Sequence, residues 1–117
     1  MAASKFSIKI EQGATYSQPI TWKAGEPAVP VNLTGCTARM QIRKKVEDPV
    51  VLVELTTQNG GITLGALTGV ITLQMTAAAT AAFQWVSGVY DLEIVFGTGV
   101  VRRLLSGSVS VSKEITR

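Results

Sequence analysis

The sequence predicts an all-β fold in which two antiparallel sheets pack as a sandwich. About three residues in ten are valine, isoleucine or threonine, whose branched side chains favour strands. Apolar and polar residues alternate in several short segments, and clusters of glycine, proline and asparagine separate these segments at close spacing. A chain of 117 residues has the length of one domain, so we expect one sandwich spanning residues 1–117.

The alternation is cleanest in the first and third predicted strands. The inward positions are Phe6, Ile8 and Ile10 in the first strand, and Cys36, Ala38, Met40 and Ile42 in the third. The outward positions of the third strand are Thr37, Arg39, Gln41 and Arg43. The second strand covers residues 16–23, where Pro19 indicates an edge or a bulge because it has no N–H to donate. Pro27 and Pro30 predict an extended connection over residues 24–33.

Turn signals divide the middle of the chain. A charged turn at 44–49 precedes a strand at 50–56, and the triplet Asn59, Gly60, Gly61 predicts a tight hairpin to a strand at 62–64. After a strand at 70–75, Thr76 is suited to cap a short alanine-rich helix ending near residue 83. We expect this to be the only helix and to cross from one sheet to the other.

The last two strands identify the kind of sandwich. Their in-phase positions are Tyr90, Leu92, Ile94 and Phe96, then Val101, Arg103, Leu105, Gly107, Val109 and Val111. Tyr90 directly follows the helical crossover, where immunoglobulin-like domains place a tyrosine whose hydroxyl bonds to the preceding turn. Leu92 stands where such domains have their second cysteine. We therefore predict an immunoglobulin-like antiparallel β-sandwich of about seven to eight strands, with one short helical crossover near residues 76–83.

The composition argues against catalysis and against a bound cofactor. There is no histidine, which removes the hydrolase mechanisms and metal sites that need an imidazole. The lone cysteine, Cys36, allows no internal disulfide and is expected to be a small buried hydrophobe. Asp91 and Glu93 are the remaining carboxylate pair, and they lie on one face of one strand instead of across a cleft. We expect no enzyme activity, no catalytic, metal or cofactor residues, and no small-molecule substrate.

The charge pattern favours a solvated surface over a nucleic-acid site. The net charge is only +3, and the basic residues considered are Arg39, Arg43, Lys44, Lys45, Arg102 and Arg103. Their outward neighbours on the third strand are Thr37 and Gln41, not the aromatic residues that stack on bases. The sequence also has no signal peptide and no apolar run of roughly 18 residues, so we expect neither export nor a membrane span.

Four segments, at 11–45, 54–64, 88–95 and 102–117, together resemble a known family. Their motifs are QGAT with a following TW, LTG followed by TARMQIR, NGGITL, and GVYDLE. In this order they are similar to small virion proteins of tailed bacteriophages, in particular the N-terminal immunoglobulin-like domain of upper baseplate proteins.

The resemblance implies a non-enzymatic adaptor in the tail, baseplate or neck of a virion, assembled in the host cytoplasm. Its partners would be other virion structural proteins and copies of itself, which can cover the edge strands that a sandwich exposes. One alternative is a capsid decoration protein of the same fold. Another is a module that binds carbohydrates of the host surface, for which Trp85 and Tyr16 would be exposed platforms.

Overall fold

The computed structural model describes residues 3–116 and contains eleven strands, one α-helix and one 3₁₀ turn at Ala66–Thr68. The elements are β1 (Ser4–Lys5), β2 (Ile8–Glu11), β3 (Tyr16–Thr21), β4 (Lys23–Ala24), β5 (Val29–Pro30), β6 (Thr37–Arg43), β7 (Val53–Thr56), β8 (Ile62–Leu64), β9 (Val70–Met75), α1 (Ala77–Ala81), β10 (Ser87–Val95) and β11 (Val101–Ser112).

Two sheets and a small hairpin organise these strands. The large sheet has the order β1/β2, β11, β10, β6, β7, and the small sheet has the order β3, β9, β8. β1 and β2 run parallel to β11 in one register, since Ser4 lies opposite Leu105 and Ile8 lies opposite Val109. The other pairings are antiparallel. The predicted all-β immunoglobulin-like sandwich is confirmed, with eleven strands in residues 3–116 in place of the predicted seven to eight.

The inward faces of the two sheets enclose an apolar core. Its buried members include Ile8, Ile10, Leu33, Met40, Ile42, Leu55, Ile62, Ile71, Leu73, Leu92, Ile94, Leu105, Val109 and Val111. The predicted alternation of the first strand is confirmed, because Ile8 and Ile10 are buried whereas Lys9 is exposed. Met40 and Ile42 are buried in the same way in β6.

The predicted helical crossover is confirmed, although it is shorter than expected. The helix α1 connects β9 in the small sheet to β10 in the large sheet. The side chain of Thr76 caps it by accepting a hydrogen bond from the Ala79 N–H at 3.1 Å.

The predicted hairpin at residues 59–61 is wrong. β7 pairs with β6 in the large sheet, and β8 pairs with β9 in the small sheet, so the chain crosses between sheets here. Gly60 adopts the expected positive φ of 82°. Gly61 has a different role: a β-carbon there would lie 2.7 Å from the Leu55 side chain. Its absence lets the chain pass over Leu55 on its way to the opposite sheet.

The predicted extended connection over residues 24–33 is also wrong in part. Strands β4 and β5 form a two-stranded hairpin within it. Gly25, with a φ of 94°, and the cis peptide bond between Glu26 and Pro27 lie in its turn. The left-handed conformation at Gly25 lets the chain reverse direction here. The prediction from Pro27 and Pro30 considered only their own φ angles and so missed this turn.

The phase predicted for the last strand holds only in its second half. Leu105 lies opposite Leu92, but Arg103 lies opposite Glu93, so Leu104 is an extra residue in β11. This bulge shifts the alternation before Leu105. Val101 and Arg103 are therefore exposed instead of continuing the core face.

Tyr90 is buried as expected, but its hydroxyl does not bond to the preceding turn. It donates to the main-chain oxygen of Phe6 at 2.6 Å. Phe6 lies in the gap between β1 and β2, where its N–H donates to the Ser106 oxygen at 3.0 Å. Tyr90 thereby fastens the first strand of the large sheet to the core, and burial together with nearby Tyr16 raises the pKa of Tyr90 to about 12.

This pKa predicts a loss of stability in alkali. In the unfolded chain a tyrosine has a pKa of about 10, so as the pH rises the unfolded state releases this proton before the folded state does. Stability is fully present below pH of about 10 and falls as the pH rises toward about 12. Tyr90→Phe should flatten this alkaline decline, at a cost of about 1 kcal/mol at neutral pH for the lost hydrogen bond. Urea unfolding from pH 8 to 12 measures both, and equal declines in the two proteins would contradict the assignment.

Candidate functional site

Charged and polar side chains cover the outer face of the large sheet. We call this surface the charged face; its members are Lys5, Arg39, Gln41, Arg43, Glu54, Asp91, Glu93, Arg103 and Ser106. They lie in cross-strand rows, because Glu93 is opposite both Arg103 and Arg39 in its two neighbouring strands. Glu93 is thus flanked by a basic residue on each side, whereas Asp91 lies opposite Ser106 and Gln41.

The charges of this face are largely paired within the chain. The Nε of Arg39 lies 2.8 Å from Oε1 of Glu93, and the Nε of Arg103 lies 3.5 Å from Oδ2 of Asp91. Gln41 donates to Glu54 at 2.8 Å. Exposed ion pairs of this kind contribute little to stability. Their effect here is to leave a surface of mixed charge with no strong excess of either sign.

A concavity of about 760 Å³ lies within the charged face. Its lining includes Asp91 and Glu93, the carboxylates weighed above as a catalytic pair. They are two residues apart on one strand, and each contacts an arginine. General acid–base hydrolysis needs the two carboxyl groups to face each other across a substrate. The arrangement suits polar contacts with another surface.

The structure divides the predicted basic set. Arg39, Arg43 and Arg103 line the charged face, whereas Lys44 and Lys45 are exposed in the turn after β6. Arg43 is held by the chain itself, since it donates to the Asp48 main-chain oxygen and to the Gln41 side chain, both at 2.8 Å. Arg102 lies opposite Ile94 in the β10–β11 ladder and is not among the residues that line the charged face. The interleaved carboxylates do not favour binding to a polyanion.

The aromatic residues weighed as carbohydrate platforms pack against the core. Trp85 is half-buried and its ring centroid lies 4.9 Å from that of Phe83. Tyr16 is also half-buried, and burial raises its pKa. Trp22 contacts Phe96 with a centroid distance of 6.0 Å. Neither Trp85 nor Tyr16 offers the exposed ring that the carbohydrate hypothesis required, and that hypothesis is wrong.

Cys36 is half-buried against the core, and burial raises the pKa of its thiol. Across residues 3–116, no group of three or more cysteine, aspartate or glutamate side chains is placed to hold a metal ion. No helix within that range has the length and apolar character needed to cross a bilayer.

The free edge of β3 is blocked at its centre. Trp22 donates to Gly69 at 2.8 Å, so the alternation of the ladder leaves the backbone of Pro19 facing away from β9. Pro19 has no N–H, and its carbonyl accepts a hydrogen bond from the Gln18 side chain at 3.0 Å. The prediction that Pro19 indicates an edge is confirmed. The sequence pattern did not predict the hydrogen bond from the Gln18 side chain to the Pro19 carbonyl.

The free edge of β7 is blocked by one side chain that the sequence analysis assigned only to a turn. Oδ1 of Asn59 accepts from the Thr56 N–H at 2.9 Å, and its Nδ2 donates to the Glu54 oxygen at 2.9 Å. These are the outward main-chain groups of β7, because Thr57 instead donates to Ala38 in β6. The amide of Asn59 therefore occupies the place of a neighbouring strand.

The edge of β2 has no comparable block. The N–H groups of Phe6 and Gln12 donate to β11, and successive residues of a strand direct their main-chain groups to alternate sides. The even-numbered residues of β2 therefore face β11, and the main chain of Lys9 faces the open side. No hydrogen bond from another residue in the range 3–116 reaches Lys9 there. Lys9 and Glu11 are both exposed, with opposite charges. An unpaired edge is a template for another strand.

The fold and its surfaces define a class of protein: an immunoglobulin-like sandwich with a mixed-charge outer face and an open sheet edge at β2. No family model and no curated protein matches the sequence. One similar solved structure comes from work on multimeric cell-adhesive interactions of voltage-gated sodium channel beta subunits, with 10% identity, coverage of 96% of this chain and 93% of that one, and a TM-score of 0.48.

A second is the extracellular domain of the voltage-gated sodium channel beta4 subunit, which forms parallel homodimers and has a role in cell–cell adhesion. It is 12% identical, covers 100% of this chain and 92% of its own, and has a TM-score of 0.44. At these identities the likeness concerns the fold alone.

The comparisons correct the resemblance to phage upper baseplate proteins. The similar solved structures are immunoglobulin-like domains of channel subunits, and no finding supports a phage protein. The adaptor role in a tail, baseplate or neck, the capsid decoration role and the virion location are therefore wrong, and virion partners have no support. The motifs misled because they encode turns and core: QGAT and LTG contain Gly13 and Gly35, with φ values of 84° and 79°.

Proposed function

We propose that this chain is a non-catalytic contact module that associates with copies of itself along the open edge of β2. The observation that carries the proposal is the difference between the edges. The middle of the β3 edge and the outward groups of β7 are blocked by Pro19, Gln18 and Asn59, whereas the Lys9 main chain has no partner among residues 3–116 on its open side.

A contact role agrees with the chemistry of the surface. The carboxylates of Asp91 and Glu93 each form an ion pair with an arginine, and the sequence has no histidine to act as a base. The concavity that contains these two carboxylates lies within the charged face. These features support binding through shape and hydrogen bonds, without a step in which bonds are made or broken.

Pairing at β2 would extend the large sheet from one copy into the next. Main-chain hydrogen bonds supply the affinity in such strand additions, and side chains set the selectivity. The outer faces of the two large sheets would then adjoin, since β2 borders the charged face through Lys5 and β11. The homodimers and multimeric contacts of the two similar solved proteins are compatible with self-association.

Lys9→Pro is the variant that tests the edge directly. The Lys9 N–H makes no bond to β11, so proline removes a donor from the open side without removing one from the sheet. Ile8 before it is already in a strand, the conformation that a following proline favours. We expect self-association to weaken at least about tenfold, measured by sedimentation equilibrium over a wide concentration range.

Lys9→Ala is the matched control, because it removes the same charge and keeps the N–H. It should retain more self-association than Lys9→Pro. Circular dichroism and thermal unfolding establish that both variants are folded. A wild-type chain that stays monomeric at millimolar concentration would contradict the proposed function, as would equal association of the wild type and Lys9→Pro.

A further inference from the structure

We infer that the second copy pairs with β2 antiparallel, about a two-fold axis at Ile10, so that Lys9 of each copy faces Glu11 of the other. This inference rests on the proposed function and specifies its register. A two-fold contact brings the same patch of both copies together, so the patch must complement itself. The sequence of β2, Ile8-Lys9-Ile10-Glu11, does so only in certain registers.

The main chain limits the choice of register. Residues that exchange hydrogen bonds across a new antiparallel pair must be those whose N–H and C=O point to the open side. In β2 these are Ser7, Lys9 and Glu11, because Phe6 and Gln12 point to β11. With the axis at Ile10, Lys9 of one copy and Glu11 of the other exchange main-chain hydrogen bonds. The two-fold axis generates a second, equivalent exchange. The Glu11 oxygen already accepts from Ala14 at 3.1 Å and retains its second lone pair for this contact.

The side chains agree with this register. Lys9 and Glu11 are exposed, on the face of β2 opposite to the buried Ile8 and Ile10. Directly opposed residues of an antiparallel pair have their β-carbons about 4.5–5.5 Å apart, within reach of an ion pair. Each copy thus supplies one lysine and one glutamate to two equivalent pairs. A lysine on an edge usually deters pairing, but here the glutamate two residues later provides its counter-charge.

The register also has a limit that the structure sets. Gly13, with a φ of 84°, begins the turn that leads away from the edge, so the paired segment cannot extend far beyond Gln12. A contact this short is expected to be weak and reversible. Exposed ion pairs are screened over about 8–10 Å at ordinary salt, so its strength should fall as salt increases.

Charge exchange tests the register. In a dimer of Lys9→Glu, the new glutamate of each copy faces Glu11 of the other copy. In a dimer of Glu11→Lys, the new lysine of each copy faces Lys9 of the other copy. Each variant alone should therefore associate at least about tenfold more weakly than the wild type at low salt. An equimolar mixture of the two variants restores both ion pairs and should form heterodimers with near wild-type affinity. The chain carrying both changes should regain homodimers. Lys45→Glu, in the exposed turn after β6, is the control for net charge and should behave like the wild type.

The outcomes separate the two proposals. Weak single variants that recover in the mixture support the register. If Lys9→Pro abolishes association while the charge variants leave it unchanged, the edge stands and the register at Ile10 is overturned. If Lys5→Glu weakens association whereas Lys9→Glu leaves it unchanged, an axis at Ile8 replaces it, because that register would set Lys5 opposite Glu11 and Lys9 opposite Ser7. A wild type that never associates overturns both proposals.

Discussion

Replacing Gly107 with alanine is expected to lower the free energy of unfolding by about 2–3 kcal/mol. A β-carbon at this position would overlap the main-chain oxygen of Phe6 and lie 3.0 Å from its carbonyl carbon. Gly107 is opposite Tyr90 in the ladder, and the same Phe6 oxygen accepts the Tyr90 hydroxyl. The first strand would have to lift away from β11 to admit the methyl group. Urea unfolding monitored by tryptophan fluorescence measures the loss.

The effect of Gly107→Ala should overlap with that of Tyr90→Phe. Both changes act on the attachment of Phe6, so the double variant should lose less stability than the sum of the two single losses, by at least about 0.5 kcal/mol. Gly97→Ala is the control, since a β-carbon there meets only the Gly35 oxygen at 3.6 Å. Strictly additive losses at Gly107 and Tyr90 would show that the two residues do not share Phe6.

Local patterns in the sequence were sufficient for the elements whose surroundings are uniform. The alternation in β2 and β6 predicted their buried faces because one side of each strand faces the core along its whole length. Thr76 was recognised as a helix cap because the bond it makes, to Ala79, lies within one turn.

Features that depend on distant residues were not predictable in this way. The triplet at 59–61 has the residues of a hairpin turn, but Leu55 and Ile62 enter the core from opposite sheets, and this directs the chain across. The bulge at Leu104 has no local signal, since Val101 and Arg103 continue the alternation in the sequence.

The candidate site shows the same division. The inward alternation of Ile8 and Ile10 implies that Lys9 and Glu11 face solvent, which they do. It did not indicate that β2 ends the large sheet, because the order of strands is set by pairing with residues about a hundred positions away, such as Val109. Asn59 was assigned to a turn for its local preference, and its use as a cap for β7 appears only when the edge is assembled.

Replacing Thr80 with valine should cost about 1–3 kcal/mol of stability, although the two side chains have nearly the same shape. Thr80 is completely buried, and its hydroxyl accepts from the Gly13 N–H at 3.0 Å and donates to the Ala14 oxygen at 2.8 Å. It thus ties α1 to the turn between β2 and β3. Valine would leave the Gly13 N–H and the Ala14 oxygen, both partly buried, without a partner in the chain.

Thr80→Ser separates the hydroxyl from the shape of the side chain. Serine keeps the oxygen and removes one methyl group, so its loss should be near 1 kcal/mol and smaller than that of valine. Because the turn held by Thr80 follows β2 directly, the valine variant should also speed amide hydrogen exchange at Gly13 and Ala14 before it affects the core strands. A valine variant as stable as the wild type, or a serine variant that loses more than valine, would show that packing and not the hydroxyl holds α1 against this turn.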